Sequence, residues 1–339
     1  MKIFRSKAPL RISFAGGGTD VSPFPELEGG CVLNTTITKY VHGTLVPRTD
    51  GIIHIESIDF GQSLEFTPDE DIIYDGKLDL IKAVIRKFKG QQSSGFDLVL
   101  QSDSPPGSGL GSSSAIIVAL VGLLKEFQGL PLTGYEIANL AYFIERKELS
   151  MKGGRQDHFA ASFGGFNFIE FWKDHTIVHP IKMNQDYINE LECNILLCYT
   201  GKTRLSDSII DDQTKRYREG DDVALEGLRK QKEIAVEIKN NLLRGQFHTV
   251  GDLLHLAWEY KKKMSPKITT PIIDEIYDEA RKNGAIGGKI SGAGGGGYMY
   301  FYCQSGKKQH VADALATFGM RSENFTFEPQ GLQTWSVES

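Results

Sequence analysis

The sequence predicts an α+β fold built from two domains. The chain has 339 residues, and because most domains hold about 100–200 residues, two are expected. Strand-like and helix-like segments follow one another without the strict alternation that a doubly wound parallel sheet requires. A second series of apolar strands begins near residue 190, so we place the domains at residues 1–188 and 189–339.

The first domain is predicted to open with strands. Residues 31–47 and 51–57 are rich in Val, Ile and Thr, and the break at Arg48–Gly51 predicts a hairpin between them. Apolar residues at helical spacing predict a helix over residues 81–88. Apolar and polar residues then alternate over residues 96–100, which predicts a half-buried strand.

Helices and one hairpin complete the first domain. Residues 115–127 are almost wholly apolar, which predicts a buried helix too short to span a membrane. Thr133 and Glu136 have the spacing of a capping box, so a second helix is expected to begin there. Residues 165–171 predict a strand, and residues 175–180 its antiparallel partner.

The second domain has the same mixture of elements. Residues 193–199 and 298–303 predict buried strands. Between them, residues 222–243, 248–263 and 271–283 predict three helices, the last of which ends at an Asn-Gly pair.

Charge and cysteine content exclude several classes of protein. The 38 basic and 43 acidic residues give a net charge of −5, and no basic stripe stands out, which argues against a nucleic-acid partner. No apolar run approaches the roughly 20 residues that cross a bilayer, so we expect no membrane partner. The N-terminus does not resemble a signal peptide. Cys31, Cys193, Cys198 and Cys303 form no CxxC pair, so we expect reduced, buried thiols in a cytoplasmic protein.

Glycine is the one unusual component of the composition. The chain contains 37 glycines in 339 residues, roughly 13 more than the average frequency of about 7% would give. Three segments hold 14 of them, namely residues 15–20, 105–114 and 284–297. The surplus is therefore local, which excludes a collagen-like or low-complexity chain.

The middle glycine segment has the features of a phosphate-binding loop. Gly107, Gly109 and Gly111 allow positive φ and let backbone amides converge. The buried helix follows directly, and its N-terminus favours an anion. The adjoining serines, residues 112–114, add hydroxyl groups for a phosphate or a metal ion. A tight turn with serine caps is the alternative interpretation.

Two common nucleotide-binding motifs can be excluded for the third glycine segment. Residues 284–290 lack both the spacing and the hydroxyl residue of GxxxxGK[ST]. Residues 292–297 match GxGxxG, but they lead into a predicted strand, whereas a dinucleotide fold needs a helix there.

The three segments in this order resemble the conserved motifs of the GHMP kinase superfamily. The matching stretches are Pro9–Asp20, Pro105–Ala115 and Lys289–Gly297. The resemblance implies an N-terminal domain like domain 2 of ribosomal protein S5 and a ferredoxin-like C-terminal domain, with the site between them. It also implies ATP as the phosphoryl donor and Mg²⁺ as the cofactor.

Within the superfamily, three further stretches are similar to the D-glycero-D-manno-heptose 7-phosphate kinases. They are Gly153–Phe159, Phe163–Asn167 and Tyr199–Arg204. This similarity implies transfer of the ATP γ-phosphate to the anomeric C1 hydroxyl of a heptose 7-phosphate, toward nucleotide-activated heptose for surface polysaccharide. Galactokinases carry Glu-His-Thr-Asp where this chain has Gly17–Asp20, which argues against galactose.

Two other functions stay open on the sequence alone. One is an L-fucose or uronic-acid 1-kinase, which needs no second phosphate site. The other is a catalytically silent sugar sensor on a kinase scaffold. The oligomeric state is also open, a homodimer included.

The resemblance assigns roles to individual residues. It implies Asp157 as the catalytic base with Arg11 beside it, and Ser113 and Glu145 as Mg²⁺ ligands. The implied ATP-binding residues are Pro106, Gly107, Ser108, Gly109, Leu110, Gly111, Ser112, Ser113 and Ser114. The implied substrate-binding residues are Gly17, Gly18, Thr19, Asp20, Arg155, Lys202, Arg204, Gly292 and Gly294.

Each of these roles has an ordinary structural alternative. Asp157 could cap a turn, Arg11 could form a surface ion pair, and Glu145 could be a solvated helix residue. Arg155, Lys202 and Arg204 are candidates for the 7-phosphate, although surface solvation is the commoner role of such side chains. We assign His158 no role beyond packing.

Overall fold

The computed structural model describes residues 2–67, 70–89, 95–202 and 207–338. These ranges form an eight-stranded and a four-stranded sheet, and the mixture of helices and mainly antiparallel strands confirms the α+β class. The strands are β1 (Lys2–Ala15), β2 (Gly30–Arg48), β3 (Ile53–Ser57), β4 (Gln62–Phe66), β5 (Gly95–Ser102), β6 (Phe166–Phe171), β7 (Thr176–Pro180), β8 (Ile195–Tyr199), β9 (Ala285–Ile290), β10 (Tyr298–Cys303), β11 (Arg321–Glu323) and β12 (Gln333–Glu338).

The helices surround the two sheets. They are α1 (Phe24–Glu28), α2 (Asp79–Lys89), α3 (Ser112–Gln128), α4 (Gly134–Tyr142), α5 (Gln156–Phe163), α6 (Gln185–Asn194), α7 (Asp207–Arg218), α8 (Asp222–Leu243), α9 (Phe247–Met264), α10 (Pro271–Lys282) and α11 (Lys308–Ala316). A π-helical turn, Phe143–Glu148, continues α4. Across the described ranges, no helix combines the length and the hydropathy needed to cross a bilayer.

The first sheet places β5 between β2 and β3. Its strand order is β12-β1-β2-β5-β3-β4, and β6 pairs with both β2 and β7. Strand β5 pairs with β2 on one side, antiparallel, and with β3 on the other, parallel. Because β5 separates β2 from β3, the predicted hairpin between residues 31–47 and 51–57 is wrong. The loop before β3 crosses the end of β5, where Gly95 has no side chain. A Cβ there would lie 2.2 Å from the carbonyl oxygen of Ile52.

α3 is the buried helix predicted over residues 115–127. Residues 114–124 are buried without interruption, and the helix packs on β1 and β2. It begins directly after Gly111, whose φ of 80° lies in the left-handed region that glycine favours. This turn brings the first amides of α3 to the loop of residues 105–111. The capping box of α4 and the β6–β7 hairpin are also present as predicted.

The second sheet lies in the C-terminal half, with the strand order β11-β8-β10-β9. α8 and α9 pack on each other and also contact β1 of the first sheet. The domain boundary predicted after residue 188 falls inside α6, and β12 pairs with β1. The division at residue 188 therefore stays a prediction. Strand β12, from the C-terminal half of the chain, belongs to the first sheet. Cys31, Cys198 and Cys303 are buried as expected, whereas Cys193 is exposed.

Candidate active site

The second and third glycine segments, residues 105–114 and 284–297, meet backbone to backbone. A Cβ on Gly109 would lie 2.4 Å from the carbonyl oxygen of Ser291, and one on Gly292 would lie 2.8 Å from the Cα of Gly109. Strand β1 leads into the first glycine segment, and the amide of Arg11 on this strand donates to the carbonyl oxygen of Leu110 in the second segment at 3.0 Å. Glycine is required at these junctions because any side chain would separate the segments.

Arg11 and Asp157 form the centre of this junction. The Nε and Nη2 atoms of Arg11 both bond Asp157 Oδ1, at 2.8 and 2.7 Å. Its Nη1 atom donates to the carbonyl oxygen of Gly109 at 2.5 Å. Arg11 is only 4% exposed, so the surface ion-pair alternative is wrong. Among the described residues, Asp157 Oδ2 has no hydrogen-bond partner, so this oxygen can accept a proton.

Asp20 ties the first glycine segment to the start of α5. Its carboxylate accepts the backbone amides of Gly18 and Gln156, each at 3.1 Å. Burial raises the pKa of Asp20, and the two amides offset only part of that effect. A Cβ on Gly154 would lie 1.9 Å from Asp20 Oδ2, so the close approach depends on that glycine.

Glu145 is fully buried, which overturns its interpretation as a solvated helix residue. Its Oε1 accepts the hydroxyl of Ser113 and its Oε2 the hydroxyl of Ser114, each at 2.7 Å. Burial alone raises the pKa of Glu145, but the Arg146 guanidinium and a hydrogen bond from His158 hold that pKa at about 2. Glu145 is therefore an ionised carboxylate at the N-terminus of α3.

His158 does more than pack. Its Nε2 atom lies 2.6 Å from Glu145 Oε2, and both side chains are fully buried. Its Nδ1 atom faces the carbonyl oxygen of Arg155 at 3.4 Å. The sequence placed this histidine next to Asp157, but it carried no signal for which of the distant side chains the ring would reach.

The other substrate-binding predictions have mixed geometry. Arg155 pairs with Glu26 and donates to the carbonyl oxygen of Trp172 at 2.9 Å, so both of its terminal guanidinium nitrogens already have partners. Lys202 is exposed, and its carbonyl oxygen accepts the amide of Gly297 at 2.8 Å. The fully buried hydroxyl of Thr19 donates within its own turn. Arg204 lies outside the described residues.

Comparison with known proteins identifies the family. Residues 79–165 match the GHMP kinases N-terminal domain and residues 238–319 the GHMP kinases C-terminal domain. A D-glycero-alpha-D-manno-heptose 7-phosphate kinase from Campylobacter jejuni is 39% identical, over 99% of this chain and 100% of that protein. The chain belongs to the GHMP kinase family.

One further relative by sequence and two solved structures are also similar to this GHMP kinase. An L-fucokinase/L-fucose-1-P guanylyltransferase from Bacteroides fragilis is 28% identical over 88% of this chain and 34% of that longer protein. The structure of a D-glycero-D-manno-heptose 1-phosphate kinase from Bacteroides thetaiotaomicron superposes with a TM-score of 0.85 at 34% identity, covering 99% and 100% of the two chains. Lactococcus lactis galactokinase gives a TM-score of 0.79 at 21% identity, over 98% and 95%, which shows a shared fold.

The residues of this GHMP kinase fit a magnesium ion that binds together with a nucleotide. The hydrogen-bonded oxygens Ser113 Oγ and Glu145 Oε1 lie 2.7 Å apart at the N-terminus of α3. Mg²⁺ prefers such oxygen ligands and usually completes its shell with phosphate and water. Within the described ranges, no group of three or more His, Cys, Asp or Glu residues could hold a metal ion alone.

Lys261 is a site residue that the sequence did not reveal. It belongs to a run of three lysines at the end of α9, a pattern typical of a solvated face. The structure buries it and directs its Nζ atom to the carbonyl oxygen of Gly292. Burial and the nearby Arg11 lower the pKa of Lys261 to about 8, although Asp20 and Asp157 act to raise it. The ammonium group therefore lies among the charged residues of the cleft.

Proposed function

We propose that this GHMP kinase transfers the γ-phosphoryl group of ATP to the C1 hydroxyl of D-glycero-D-manno-heptose 7-phosphate, which gives the 1,7-bisphosphate. The observation that carries the proposal is the 39% identity with the Campylobacter jejuni heptose 7-phosphate kinase along the whole length of both chains. The B. thetaiotaomicron heptose 1-phosphate kinase, at 34% identity over the full chain, supports a heptose phosphate as the substrate class.

On the donor side, the loop of residues 106–114 would hold the phosphates of ATP. Gly107, Gly109 and Gly111 have positive φ values of 73°, 85° and 80°, and the amides at the start of α3 favour an anion. Ser113 and Glu145 would hold Mg²⁺, whose charge neutralises phosphate oxygens during transfer. His158 would keep the Glu145 carboxylate in place.

On the acceptor side, Asp157 would act as the base. The proton of the sugar hydroxyl passes to Asp157 Oδ2 while the hydroxyl oxygen bonds the γ-phosphorus and the bond to the ADP oxygen breaks. Arg11 would hold the Asp157 carboxylate in place through the bonds to Oδ1, which leave Oδ2 free among the described residues. Asp20, with Gly17 and Gly18, would accept other sugar hydroxyls, and Gly292 and Gly294 would close over the substrates.

The proposed substrate needs a binding site for its 7-phosphate. Lys202 and Arg204 are its candidate ligands, and Arg155 could take part only by exchanging Glu26 for the phosphate. An L-fucose or uronic-acid 1-kinase would not need these cations. The L-fucokinase relative matches at only 28% identity, which favours the heptose phosphate.

A coupled assay of ADP release tests the proposal. With ATP and Mg²⁺, we expect kcat/KM for heptose 7-phosphate to exceed that for unphosphorylated heptose and for L-fucose by at least about 100-fold, because an unused anion site rejects the smaller substrate. Equal values would refute the 7-phosphate assignment. No ADP release with any of the three sugars would point to the silent sensor.

A variant pair tests the base within the same assay. Asp157→Asn should lower kcat by about 10²–10⁴-fold, the usual contribution of a general base. Asp174→Asn, at an exposed position, is the control for the same chemical change and should turn over normally. Full activity of Asp157→Asn would reject Asp157 as the base.

A further inference from the structure

We propose that Lys261 binds the transferred phosphoryl group of ATP, as a second cation beside Arg11. The family motifs do not include this residue, and it lies on α9, far along the chain from all three glycine segments. Its side chain nevertheless reaches the point where the second and third segments meet, and it donates to the carbonyl oxygen of Gly292.

The position of Lys261 follows from the backbone junction that it contacts. Gly292 packs directly on Gly109, the residue whose carbonyl oxygen accepts Arg11 Nη1. Arg11 Nη1 also lies 3.3 Å from Ser291 Oγ, one residue before Gly292. The two cations are therefore held by adjacent parts of the same junction, which joins the proposed phosphate loop to the third glycine segment.

Lys261 has hydrogen-bonding capacity that the described residues do not use. An ammonium group has three donors, and one of them goes to the Gly292 carbonyl oxygen. The residue is only 5% exposed, and among the described residues it forms no ion pair within 4.0 Å. Asp20 and Asp157 act on it only at longer range. A buried cation without an anionic partner is costly, so the arrangement favours binding of an anion.

Comparison with Lys289, another of the buried lysines, shows that this placement is specific. Lys289 is 1% exposed and donates to the carbonyl oxygen of Phe14 at 3.2 Å. Burial lowers its pKa, as do Lys261 and Arg11, and no carboxylate acts on it. Lys289 therefore links β9 to β1 as part of the packing, whereas Lys261 lies within the electrostatic influence of Asp20 and Asp157.

Nucleotide binding tests the inference without a sugar. The inference rests on the phosphoryl transfer in the proposed function but not on the identity of the acceptor. Calorimetry with the full chain and Mg²⁺ would compare Kd for ADP with Kd for AMPPNP, which adds the γ-phosphoryl group. In Lys261→Met, the preference for AMPPNP should fall by at least about threefold, while Kd for ADP changes less. A smaller fall overturns the inference.

Matched variants separate the charge from the fold. Lys261→Gln is a second neutral variant, and Lys261→Arg keeps the charge and should recover much of the preference. Lys262→Met is the control, since Lys262 pairs with Glu259 at 2.8 Å and is not part of the site. Melting temperatures would confirm that each variant folds.

Turnover gives the second readout once an acceptor is established. Removal of one donor to the transferred group should lower kcat of Lys261→Met by about 10²-fold or more with little change in the acceptor KM. A raised acceptor KM at normal kcat would instead place Lys261 on the sugar substrate and overturn the inference. Inactivity of the wild type toward heptose 7-phosphate would refute the proposed substrate and leave the nucleotide test intact.

Discussion

At the scale of single residues, the fully buried Glu145 carboxylate shows how the fold prepares a charged group. Ser113, Ser114 and His158 occupy its two oxygens, and Arg146 Nη2 lies 3.3 Å away. Partners on several sides fix the rotamer of the carboxylate as well as its charge. Such support usually decides how well a ligand is presented to a metal ion.

His158 is therefore expected to position Glu145. His158→Phe should raise the Mg²⁺ concentration at half-maximal rate by about tenfold, whereas His158→Gln keeps an N–H donor and should lose less. Binding of Mn²⁺ in the presence of AMPPNP, followed by EPR, should weaken in parallel. The matched control is His179, which pairs with Glu170 at 2.7 Å on the exposed surface. If His158→Phe and His179→Phe behave alike, the positioning role is wrong.

Lys261 predicts a specific pH dependence. Burial and the nearby Arg11 lower the pKa of Lys261 to about 8, although Asp20 and Asp157 act to raise it. Because the charged form would bind the phosphoryl group, kcat/KM for ATP should fall as pH rises through about 8. Lys261→Arg should move this fall to higher pH, because arginine stays protonated. A pH–rate profile in which both proteins lose activity at the same pH would contradict the prediction.

The same lysine makes folding stability depend on pH. The unfolded pKa of about 10.4 lies above the folded value, so between pH 8 and that value the unfolded chain binds more protons. Stability should therefore rise with pH in this window.

At the scale of elements, the loop before α3 depends on contacts as well as on backbone conformation. Gly109 and Gly129 flank α3 and both have positive φ, at 85° and 67°. Only Gly109 faces another segment, since a Cβ on Gly129 would meet nothing within 4 Å. Alanine at either position costs about 1–2 kcal/mol of backbone strain.

Gly109→Ala should therefore destabilise the protein more than Gly129→Ala, and the difference measures the contact between Gly109 and Ser291. We expect a further loss of about 1–3 kcal/mol in the free energy of unfolding, because the new methyl group would lie 2.4 Å from the Ser291 carbonyl oxygen. Urea titration would measure both variants, and the ATP KM should rise only in Gly109→Ala. Equal losses would show that the junction adapts at no cost.

Local elements were predictable where a local signal exists. The apolar run of residues 115–127 and the capping box of Thr133 led to correct helices. The hairpin between residues 31–47 and 51–57 failed, because β5 enters between these strands from about 40 residues further along the chain. No local pattern reports such a crossing.

At the scale of the molecule, the site exists only when distant segments are assembled. Motifs at three places in the sequence indicated a phosphate-binding cleft, and the structure brings them together. Glu145 looked solvated because its run, Glu145–Glu148, is charged, and only the π-helical turn and α3 explain its burial. Lys261 looked solvated for the same reason. In each run, tertiary packing buries one charged residue and leaves its neighbours more exposed, and the sequence pattern alone cannot show which residue is buried.

The whole first sheet should also depend on its last strand. β12 pairs with residues 2–7 of β1, and Leu332 packs against Gly122 of α3. Ending the chain after Gly331 should lower the free energy of unfolding by about 2–5 kcal/mol, the usual cost of an emptied apolar position. Urea titration would measure it, with the exposed Trp335→Ala as a control that should lose much less. An unchanged midpoint would contradict the prediction.

The pairing of β12 with β1 has a consequence for biosynthesis. Strand β1, which carries Arg11, leaves the ribosome long before its outer neighbour β12 is translated. Until β12 emerges, the nascent chain presents one side of β1 as an open edge with unpaired amides and carbonyls, which invites pairing with other chains. The first sheet is therefore completed only when β12 has been made, and contacts of such long sequence separation make its folding slow.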